Sequence, residues 1–189
     1  PNKPCVSLMV GSTGVGKTFL AKRLAFELFG NENELVRLDM SEYSEKTSVT
    51  KLYGASSGYI GYDEGGILTE SIKKKPYCVL LLDEIEKAHK DVFDVFLQIF
   101  DEGRLTDNKG NVVNFKNVII IMTSNVGVDK ICNKSNKIGF GTYDKESENK
   151  EIILKEIKNN FKPEFINRID NICYFNNLTE ENLITIIKN

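Results

Sequence analysis

The sequence has little of what marks a metal, redox or membrane protein. Its 189 residues include four cysteines, which lie far apart with no C-x-x-C pair, and this spacing argues against a zinc site or a redox motif. Such cysteines fit a reducing compartment, either the cytoplasm or a plastid-like organelle stroma. Apolar runs fall short of the ~18 residues that a membrane span needs, and the first residues do not resemble a signal peptide. We therefore expect a soluble protein without a membrane partner.

An excess of charge of either sign is also absent. Lys+Arg number 25 and Asp+Glu number 27, which gives a formal net charge of -2 at pH 7. The basic residues form no local run that would follow a phosphate backbone, so we do not expect nucleic acid as a partner. The chain has a single histidine, His89, which we interpret as a surface or helix-capping residue rather than a catalyst.

Hydrophobic periodicity predicts strands that alternate with helices. Short apolar runs typical of buried strands occupy residues 6–10, 35–40, 77–82, 118–122 and 172–175. Apolar residues at helical spacing lie between them, across residues 20–28, 92–99 and 153–161. Gly30 and Gly103 stand where helices are expected to stop, and Pro163 breaks the last one. This order predicts an α/β fold with a doubly wound parallel sheet, whose ligands bind at the carboxyl ends of the strands.

Three segments do not fit this repeating unit. Residues 54–66 and 108–115 are predicted to be moving loops, and residues 132–149 form a polar stretch interrupted by glycine. Near the end of the chain, Thr179 is followed by two glutamates, a pattern typical of a helix N-cap. We therefore expect one more helix to begin after the final strand.

A complete G-x-x-x-x-G-K-[ST] phosphate loop follows the first predicted strand and precedes the first predicted helix. It consists of Gly11, Ser12, Thr13, Gly14, Val15, Gly16, Lys17 and Thr18. Its glycines let backbone N–H groups converge on phosphate oxygens, and the helix adds the positive end of its dipole. Lys17 is predicted to reach the β and γ phosphates, and the Thr18 hydroxyl is predicted to bind Mg²⁺.

Polar side chains also follow two of the later predicted strands. Asp83 and Glu84 come directly after the apolar run at 77–82. Asp83 is predicted to hold Mg²⁺ through its water shell, and Glu84 to polarise the attacking water. Asn125 follows the strand at 118–122 and is predicted to orient that water beside the γ phosphate. An asparagine after a strand is usually a turn residue, so this role depends on the two motifs before it.

The phosphate loop, the acidic pair, Asn125 and the stretch FKPEFINRID at residues 161–170 occur in the order and spacing of the second ATPase module of Clp unfoldases. Over nearly its whole length the chain resembles this AAA+ family, the ClpC-like members first and the ClpB-like members second. The resemblance implies a AAA+ P-loop NTPase fold with a parallel sheet flanked by helices. It also implies a large nucleotide-binding subdomain over residues 1–176 and the start of a truncated helical lid subdomain at 177–189.

The resemblance further implies an ATPase that couples hydrolysis to the unfolding and translocation of polypeptides through a pore, with ATP and Mg²⁺ as cofactors. The working form is then a homohexamer, in which Arg168 is the arginine finger that reaches the γ phosphate on a neighbouring subunit. Tyr59, in the stretch GYIGY, corresponds to the residue that grips unfolded polypeptide. Residues 108–115 correspond to a second, weaker pore loop. Flanking glycines and an aromatic tip suit a loop that holds any extended chain.

The tripeptide Ile138-Gly139-Phe140 resembles the motif with which protease-linked Clp members dock on a ClpP-type peptidase ring. Disaggregases of the ClpB type typically lack it, so the resemblance favours a ClpP-type peptidase as partner. An apolar pair on a polar loop can instead fold back onto its own domain, which leaves a ClpB-type disaggregase as the alternative.

Other function classes have less support. The chain lacks the N-K-x-D motif of GTPases and the L-S-G-G-Q motif of ABC ATPases, and a clamp loader or helicase would show a basic stripe. A scaffold that binds nucleotide without hydrolysing it is a separate alternative, against which Glu84 and Arg168 argue. The family's adenine-contacting segment and lid arginine have no counterpart between Pro1 and Asn189, so we expect this chain alone to be mostly monomeric and nearly inactive.

Overall fold

The computed structural model describes residues 2–135 and 145–176. Its strands are β1 (Cys5–Val10), β2 (Leu35–Asp39), β3 (Val79–Asp83), β4 (Arg104–Thr106), β5 (Val112–Asn114), β6 (Ile119–Ser124) and β7 (Asn171–Tyr174). Its α-helices are α1 (Lys17–Phe29), α2 (Thr50–Tyr53), α3 (Ile67–Lys74), α4 (Lys90–Glu102), α5 (Val128–Ser135), α6 (Lys145–Asn160) and α7 (Pro163–Ile166). The predictions made for Ile138, Gly139, Phe140 and Thr179 lie outside the described residues.

Five of these strands form one parallel sheet in the order β2-β3-β6-β1-β7. The first four residues of β3 are all buried, as expected for a strand that is covered by helices on both faces. The prediction of an α/β fold with a parallel sheet flanked by helices is confirmed. The register pairs Asp39 with Asp83 and Val10 with Ser124. The carboxyl ends of the central strands therefore meet at one edge.

The two faces of the sheet bury side chains of different size. On one face, α4 contributes Phe96 and Phe100 to a large apolar cluster, and both rings are almost fully buried. On the other face, α1 contributes Ala21 and Ala25, which are fully buried against the sheet. Small side chains allow close approach of a helix backbone, so α1 packs tightly on the sheet directly after the phosphate loop. Truncating a buried phenylalanine such as Phe96 to alanine would cost about 3–5 kcal/mol of stability.

Helix α4 begins and ends as its sequence predicts. Nδ1 of His89 accepts a hydrogen bond of 3.2 Å from the backbone N–H of Asp91, so His89 caps the N-terminus of the helix. Gly103, with a φ of 64°, ends the helix in the left-handed conformation. The interpretation of His89 as a capping residue is confirmed. Neither α4 nor any other helix among the described residues is long and apolar enough to cross a bilayer.

The prediction of a moving loop at residues 108–115 is wrong for Val112–Asn114. That segment is β5, which pairs with β4 in an antiparallel hairpin where Leu105 lies opposite Val113, and both side chains are buried. A strand of three residues is too short for alternating apolar positions to stand out in a sequence. Helices α5 and α6 extend into the polar stretch at 132–149 from both sides.

The predicted loop at residues 54–66 contains neither helix nor strand. Two helices that the sequence did not predict, α2 with 4 residues and α3 with 8, frame it. Both are too short to show helical periodicity clearly, although Leu68 and Ile72 of α3 are buried at the expected spacing. The loop therefore begins and ends next to packed helices. Between them it projects from the domain.

Candidate active site

An open cleft of about 390 Å³ lies at the carboxyl ends of β1, β3 and β6, and its size is typical of small-molecule sites. The predicted site residues that line it are Thr13, Gly14, Gly16, Lys17, Thr18, Asp83, Glu84 and Asn125. Gly11, Ser12 and Val15 belong to the same phosphate loop but do not line this cleft. The structure thus brings together the loop, the acidic pair and the asparagine that the sequence had placed far apart.

The phosphate loop depends on glycine at two positions with a left-handed backbone. Gly14 has a φ of 82° and Gly16 a φ of 100°, conformations that residues with a side chain rarely adopt. Gly16 is also the N-cap of α1 and provides no side-chain cap, so the first N–H groups of the helix are left for a ligand. Together with the positive end of the helix dipole, these groups favour an anion in the cleft.

Gly11 is required for a reason that the motif does not reveal. A Cβ atom on Gly11 would lie 2.7 Å from Cβ of Phe175 and 2.8 Å from its carbonyl oxygen. The N–H of Phe175 donates to the carbonyl oxygen of Val10 at 2.8 Å, and the N–H of Gly11 donates to that of Ser124 at 3.1 Å. The base of the phosphate loop is therefore held between the ends of β6 and β7.

Lys17 is folded back onto its own loop. Its Nζ donates to the carbonyl oxygen of Gly11 at 2.6 Å and to that of Ser12 at 2.7 Å. Partial burial lowers the pKa of Lys17, an effect opposed by nearby carboxylates, of which Asp83 contributes most. The ammonium group can exchange these carbonyls for the oxygens of a bound phosphate, with which it forms stronger, charge-assisted hydrogen bonds.

Asp83 is held by two residues that no motif had singled out. The hydroxyl of Thr123 donates a short hydrogen bond to Oδ1 of Asp83 and accepts one of 3.1 Å from the N–H of Glu84. Nη2 and Nε of Arg37 donate to Oδ2 of Asp83 at 2.6 and 3.2 Å. Thr123 and Arg37 both line the cleft. The only sequence signal for Arg37 was a charged residue between two apolar residues of a strand.

Glu84 has a strained backbone. It is the one residue other than glycine with a positive φ in the part of the chain that the structure describes, with φ at 56° and ψ at 52°. Such strain costs about 1–3 kcal/mol and is typical of functional sites. The conformation turns the chain out of β3, so that the Glu84 side chain lines the cleft. Oε2 of Glu84 accepts a hydrogen bond of 2.6 Å from Nζ of Lys87 in a partly exposed ion pair.

Asn125 directly follows β6, is exposed and lines the cleft. Its N–H donates to Oε1 of Glu86 at 3.3 Å. The other carboxylate oxygen of Glu86 is buried and has no hydrogen-bond partner among the described residues. Glu86, which the motifs did not identify, thus connects the segment after β3 to the segment after β6 and fixes the backbone from which Asn125 enters the cleft.

The two remaining predicted residues lie away from the cleft. Arg168, between α7 and β7, donates two hydrogen bonds to the carboxylate of Asp101 in α4, and this pairing lowers the pKa of Asp101. The side chain of Tyr59 is 73% exposed, in a turn flanked by Gly58 and Gly61 with φ of 88° and 89°. Neither residue lines the cleft of its own chain.

A smaller pocket of about 80 Å³ adjoins the other side of the phosphate loop at Gly11 and Ser12. Its apolar lining comes from α5, α6 and β7, through Val128, Ile131, Ile153 and Tyr174. Asn149, Lys150 and Asn176 complete its lining. The phosphate loop therefore has an open polar cleft on one side and a small, partly apolar pocket on the other.

Comparison with known proteins identifies the family. A family model described as AAA domain (Cdc48 subfamily) matches residues 3–172. The chain is 51% identical over 192 residues to the negative regulator of genetic competence ClpC/MecB of Bacillus subtilis, a match that covers 99% of this chain and 24% of that protein. It is 52% identical over 189 residues to the chaperone protein ClpB of Gloeobacter violaceus, covering 100% of this chain and 21% of that protein.

A solved structure of S. cerevisiae Hsp104 in complex with casein, in an extended conformation, is similar with a TM-score of 0.86 and 42% identity, covering 100% of this chain and 31% of that chain. The chain spans a quarter or less of the length of the two curated relatives. The predicted resemblance to Clp proteins and the predicted AAA+ fold are confirmed. Since the family model matches residues 3–172 of 189, the chain belongs to the AAA domain family (Cdc48 subfamily), a family of nucleotide-binding ATPases.

Proposed function

We propose that the chain is the ATP-hydrolysing large subdomain of a Clp-type AAA+ motor that unfolds polypeptides by threading them through a pore. The observation that carries this proposal is the cleft that joins the phosphate loop, Asp83, Glu84 and Asn125 at one edge of the sheet. An anion-binding loop, a cation-binding carboxylate and a base near the attacking water are the parts that phosphoryl transfer to water requires.

The residues of the cleft fit ATP and Mg²⁺. The N–H groups at the start of α1 and the ammonium of Lys17 would bind the β and γ phosphates. Thr18 and Asp83 would hold Mg²⁺, and the guanidinium of Arg37 already presents positive charge to Oδ2 of Asp83. Bound Mg²⁺ neutralises charge on the phosphate oxygens during transfer.

Glu84 is the residue that we assign to activating water. Its carboxylate enters the cleft from a strained turn, and exchange of the exposed Lys87 partner leaves it able to accept a proton from the attacking water. Asn125 would orient the same water through its side-chain amide. Arg37, which donates two hydrogen bonds to Oδ2 of Asp83, would orient this carboxylate for the metal ion.

Replacing Glu84 by glutamine tests this assignment in a ring-forming protein that carries this chain. Glu84→Gln keeps the shape of the side chain but cannot accept the proton, so we expect ATP turnover to fall by roughly 10²- to 10⁴-fold while ATP affinity is kept. Phosphate release and equilibrium binding of a fluorescent ATP analogue measure the two effects. The exposed Glu32→Gln variant is the matched control, and near-normal turnover in Glu84→Gln would refute the assignment. A wild-type protein that binds ATP without phosphate release would favour the scaffold alternative.

Polypeptide threading is proposed for the exposed loop that carries Tyr59. Tyr59 is largely exposed between two glycines with positive φ, and S. cerevisiae Hsp104, which shares the fold, has been solved with casein. A loop that pulls polypeptide has to face a central pore, so a closed ring, as in the hexamer that the resemblance implies, is the proposed working form. Arg168 lies outside its own cleft and would complete the cleft of a neighbour after leaving Asp101.

A ClpP-type peptidase is the proposed partner, on the strength of the tripeptide Ile138-Gly139-Phe140 alone. Identity does not separate the two family branches, because the chain is 51% identical to a ClpC protein and 52% identical to a ClpB protein. Six weak apolar anchors around a ring would bind a peptidase ring with high avidity.

The change Phe140→Ser tests the peptidase proposal. We expect ATP-dependent unfolding to survive, whereas degradation coupled to a ClpP-type peptidase falls by more than about 10-fold, since each ring loses six anchors. Leu28→Ser is the matched control, because Leu28 is an apolar residue exposed on α1. If the Phe140→Ser protein still supports full coupled degradation, the tripeptide does not dock on the peptidase and packs on its own domain instead. This outcome would favour a ClpB-type disaggregase.

A further inference from the structure

A single carboxamide closes the base of the exposed loop that carries Tyr59. Nδ2 of Asn108 donates to the carbonyl oxygen of Ala55 at 2.7 Å and to that of Tyr62 at 3.0 Å. These two carbonyls stand on either side of the loop tip, where the aromatic ring of Tyr59 is largely exposed. Because one nitrogen binds both, the two ends of the loop are held together by a residue from the turn between β4 and β5.

Asn108 is itself held tightly against the main chain. Its N–H donates to the carbonyl oxygen of Tyr53 at 2.9 Å. A Cβ atom on Gly54 would lie 2.3 Å from Cγ of Asn108, so the carboxamide occupies the space that only a glycine leaves open. Oδ1 of Asn108 is buried without a partner in the described part of the chain. The two loop carbonyls can only accept hydrogen bonds, and this fixes the nitrogen on their side.

The turn that carries Asn108 is anchored by its neighbour, Asp107, whose side chain is 1% exposed. The Asp107 carboxylate accepts hydrogen bonds from the N–H groups of Lys109 at 2.9 Å and Asn111 at 2.8 Å, and from Nζ of Lys73 at 2.6 Å. Burial alone would raise the pKa of Asp107, but these hydrogen bonds outweigh burial and hold the pKa well below its ordinary value. Lys73 belongs to α3, which begins where the loop ends, so hairpin and loop share one support.

We propose that Asn108 is a positioning residue that joins the β4–β5 hairpin and the Tyr59 loop into one unit, so that polypeptide held at Tyr59 moves together with the hairpin. This inference rests on the proposed function of Tyr59 in gripping substrate. Asn108 acts through Tyr59, because its side chain contacts loop carbonyls and not the substrate. Without its two donors, both carbonyls turn to water and the ends of the loop separate.

The first test follows the loop directly in this chain, by the rate of chymotrypsin cleavage after Tyr59 and Tyr62. Asn108→Asp keeps the size of the side chain but replaces the donor nitrogen by an acceptor, and Asn108→Ala removes the carboxamide without adding charge. We expect both variants to be cleaved about 10-fold faster, since cleavage follows the population of the open loop. Asn117→Asp, the same change at an exposed asparagine, should be cleaved at the wild-type rate.

If both Asn108 variants are cleaved at the wild-type rate, the proposal that Asn108 closes the loop is refuted. A thermal unfolding midpoint within about 3 °C of wild type shows that faster cleavage reports the loop and not the whole domain. If Asn108→Asp folds poorly, Asn108→Ala carries the same test, because the proposal concerns the loss of the donor and not the added charge.

The second test measures coupling in a ring-forming protein that carries this chain. We expect the amount of substrate unfolded per ATP hydrolysed to fall about 10-fold in both Asn108 variants, with the KM for ATP unchanged because Asn108 lies outside the cleft. A purely structural role would lower hydrolysis and unfolding together. If the amount of substrate unfolded per ATP stays unchanged although chymotrypsin cleaves the loop faster, the proposed coupling between loop and hairpin is refuted. If the Tyr59→Ala variant unfolds substrate at the normal rate, the proposed gripping function of Tyr59 is refuted. The cleavage test of loop closure does not depend on that result.

Discussion

The nucleotide cleft and the Tyr59 loop are positioned by opposite means. In the cleft, side chains project from the ends of buried parallel strands, so the sheet itself fixes where Asp83 and Asn125 stand. The loop has no helix or strand of its own, and side-chain hydrogen bonds from Asn108, 46 and 53 residues away, hold it instead. The residues of the cleft are positioned by the core, whereas the exposed tip with Tyr59 is positioned by a few polar contacts. A change in the loop should therefore leave the cleft intact.

The largest effect is expected at Arg168, which lies outside the cleft of its own chain and is proposed to complete the cleft of a neighbour. Arg168→Ala should lower ATP turnover by about 10³-fold or more, as expected for an arginine finger, and Lys17→Ala should abolish ATP binding. When the two inactive proteins are mixed, turnover should partly recover, because some interfaces then carry both residues intact. Arg104→Ala, at an exposed arginine paired with Glu102, is the control for loss of surface charge.

Phosphate release from mixed rings measures this recovery. Absence of recovery in rings that demonstrably contain both variants would show that Arg168 does not act across a subunit boundary. The role of Arg168 would then be limited to its ion pair with Asp101.

A change at the loop tip should lower substrate unfolding while leaving ATP hydrolysis in the cleft nearly unchanged. Tyr59→Ala is expected to lower substrate unfolding by about 30-fold, the effect of losing one anchoring aromatic side chain, while ATP hydrolysis stays within about twofold of wild type. Unfolding of a tagged fluorescent substrate and phosphate release are measured together. The control is Tyr77→Ala, which removes another exposed tyrosine. Parallel loss of both activities would mean that the loop supports the fold rather than the grip.

The smallest effect is expected in the stability of the turn that holds the loop. Hydrogen bonds to the Asp107 carboxylate hold its pKa below the ordinary value against the effect of burial, so this carboxylate stabilises the fold above the unfolded pKa of about 4. That contribution is lost progressively as pH falls from about 4 towards the lower pKa of the folded carboxylate, because in this range the unfolded chain takes up a proton and the folded carboxylate does not. Asp107→Asn should cost about 1–3 kcal/mol at pH 7 and remove this part of the acid sensitivity.

Thermal melts between pH 7 and pH 3 measure the contribution of Asp107, with the exposed Asp94→Asn variant as control. Equal loss of stability on acidification in wild type and Asp107→Asn would contradict the assignment. A drop in ATP affinity at pH 7 in Asp107→Asn would break the separation between loop and cleft, because Asp107 does not line the cleft.

The sequence predicted the parts of the site whose geometry is local. The phosphate loop is a continuous motif whose glycines set the backbone directly, and Asp83 and Glu84 follow an apolar run long enough to be recognised as a strand. Arg37 and Thr123 were missed because they reach Asp83 from strands 46 and 40 residues away in the chain, and only the strand order brings them together.

The hairpin escaped prediction for a second physical reason. β4 and β5 have three residues each, so they show no alternation that propensity or periodicity can detect. Asn108 and Asp107 lie in the turn between them, where polar residues are expected in any case. Their partners, Ala55, Tyr62 and Lys73, become visible only once the hairpin is placed against α3.

The left-handed backbone of Glu84 sets a limit on how far this protein can be made more heat resistant. Glycine is the residue that the backbone at position 84 favours, so Glu84→Gly would relieve local strain. The same change would remove the carboxylate that we assign to water activation. Searches for more thermostable variants that score folding alone would select against the residue to which we assign water activation, and position 84 is where stability and activity are expected to oppose each other in this domain.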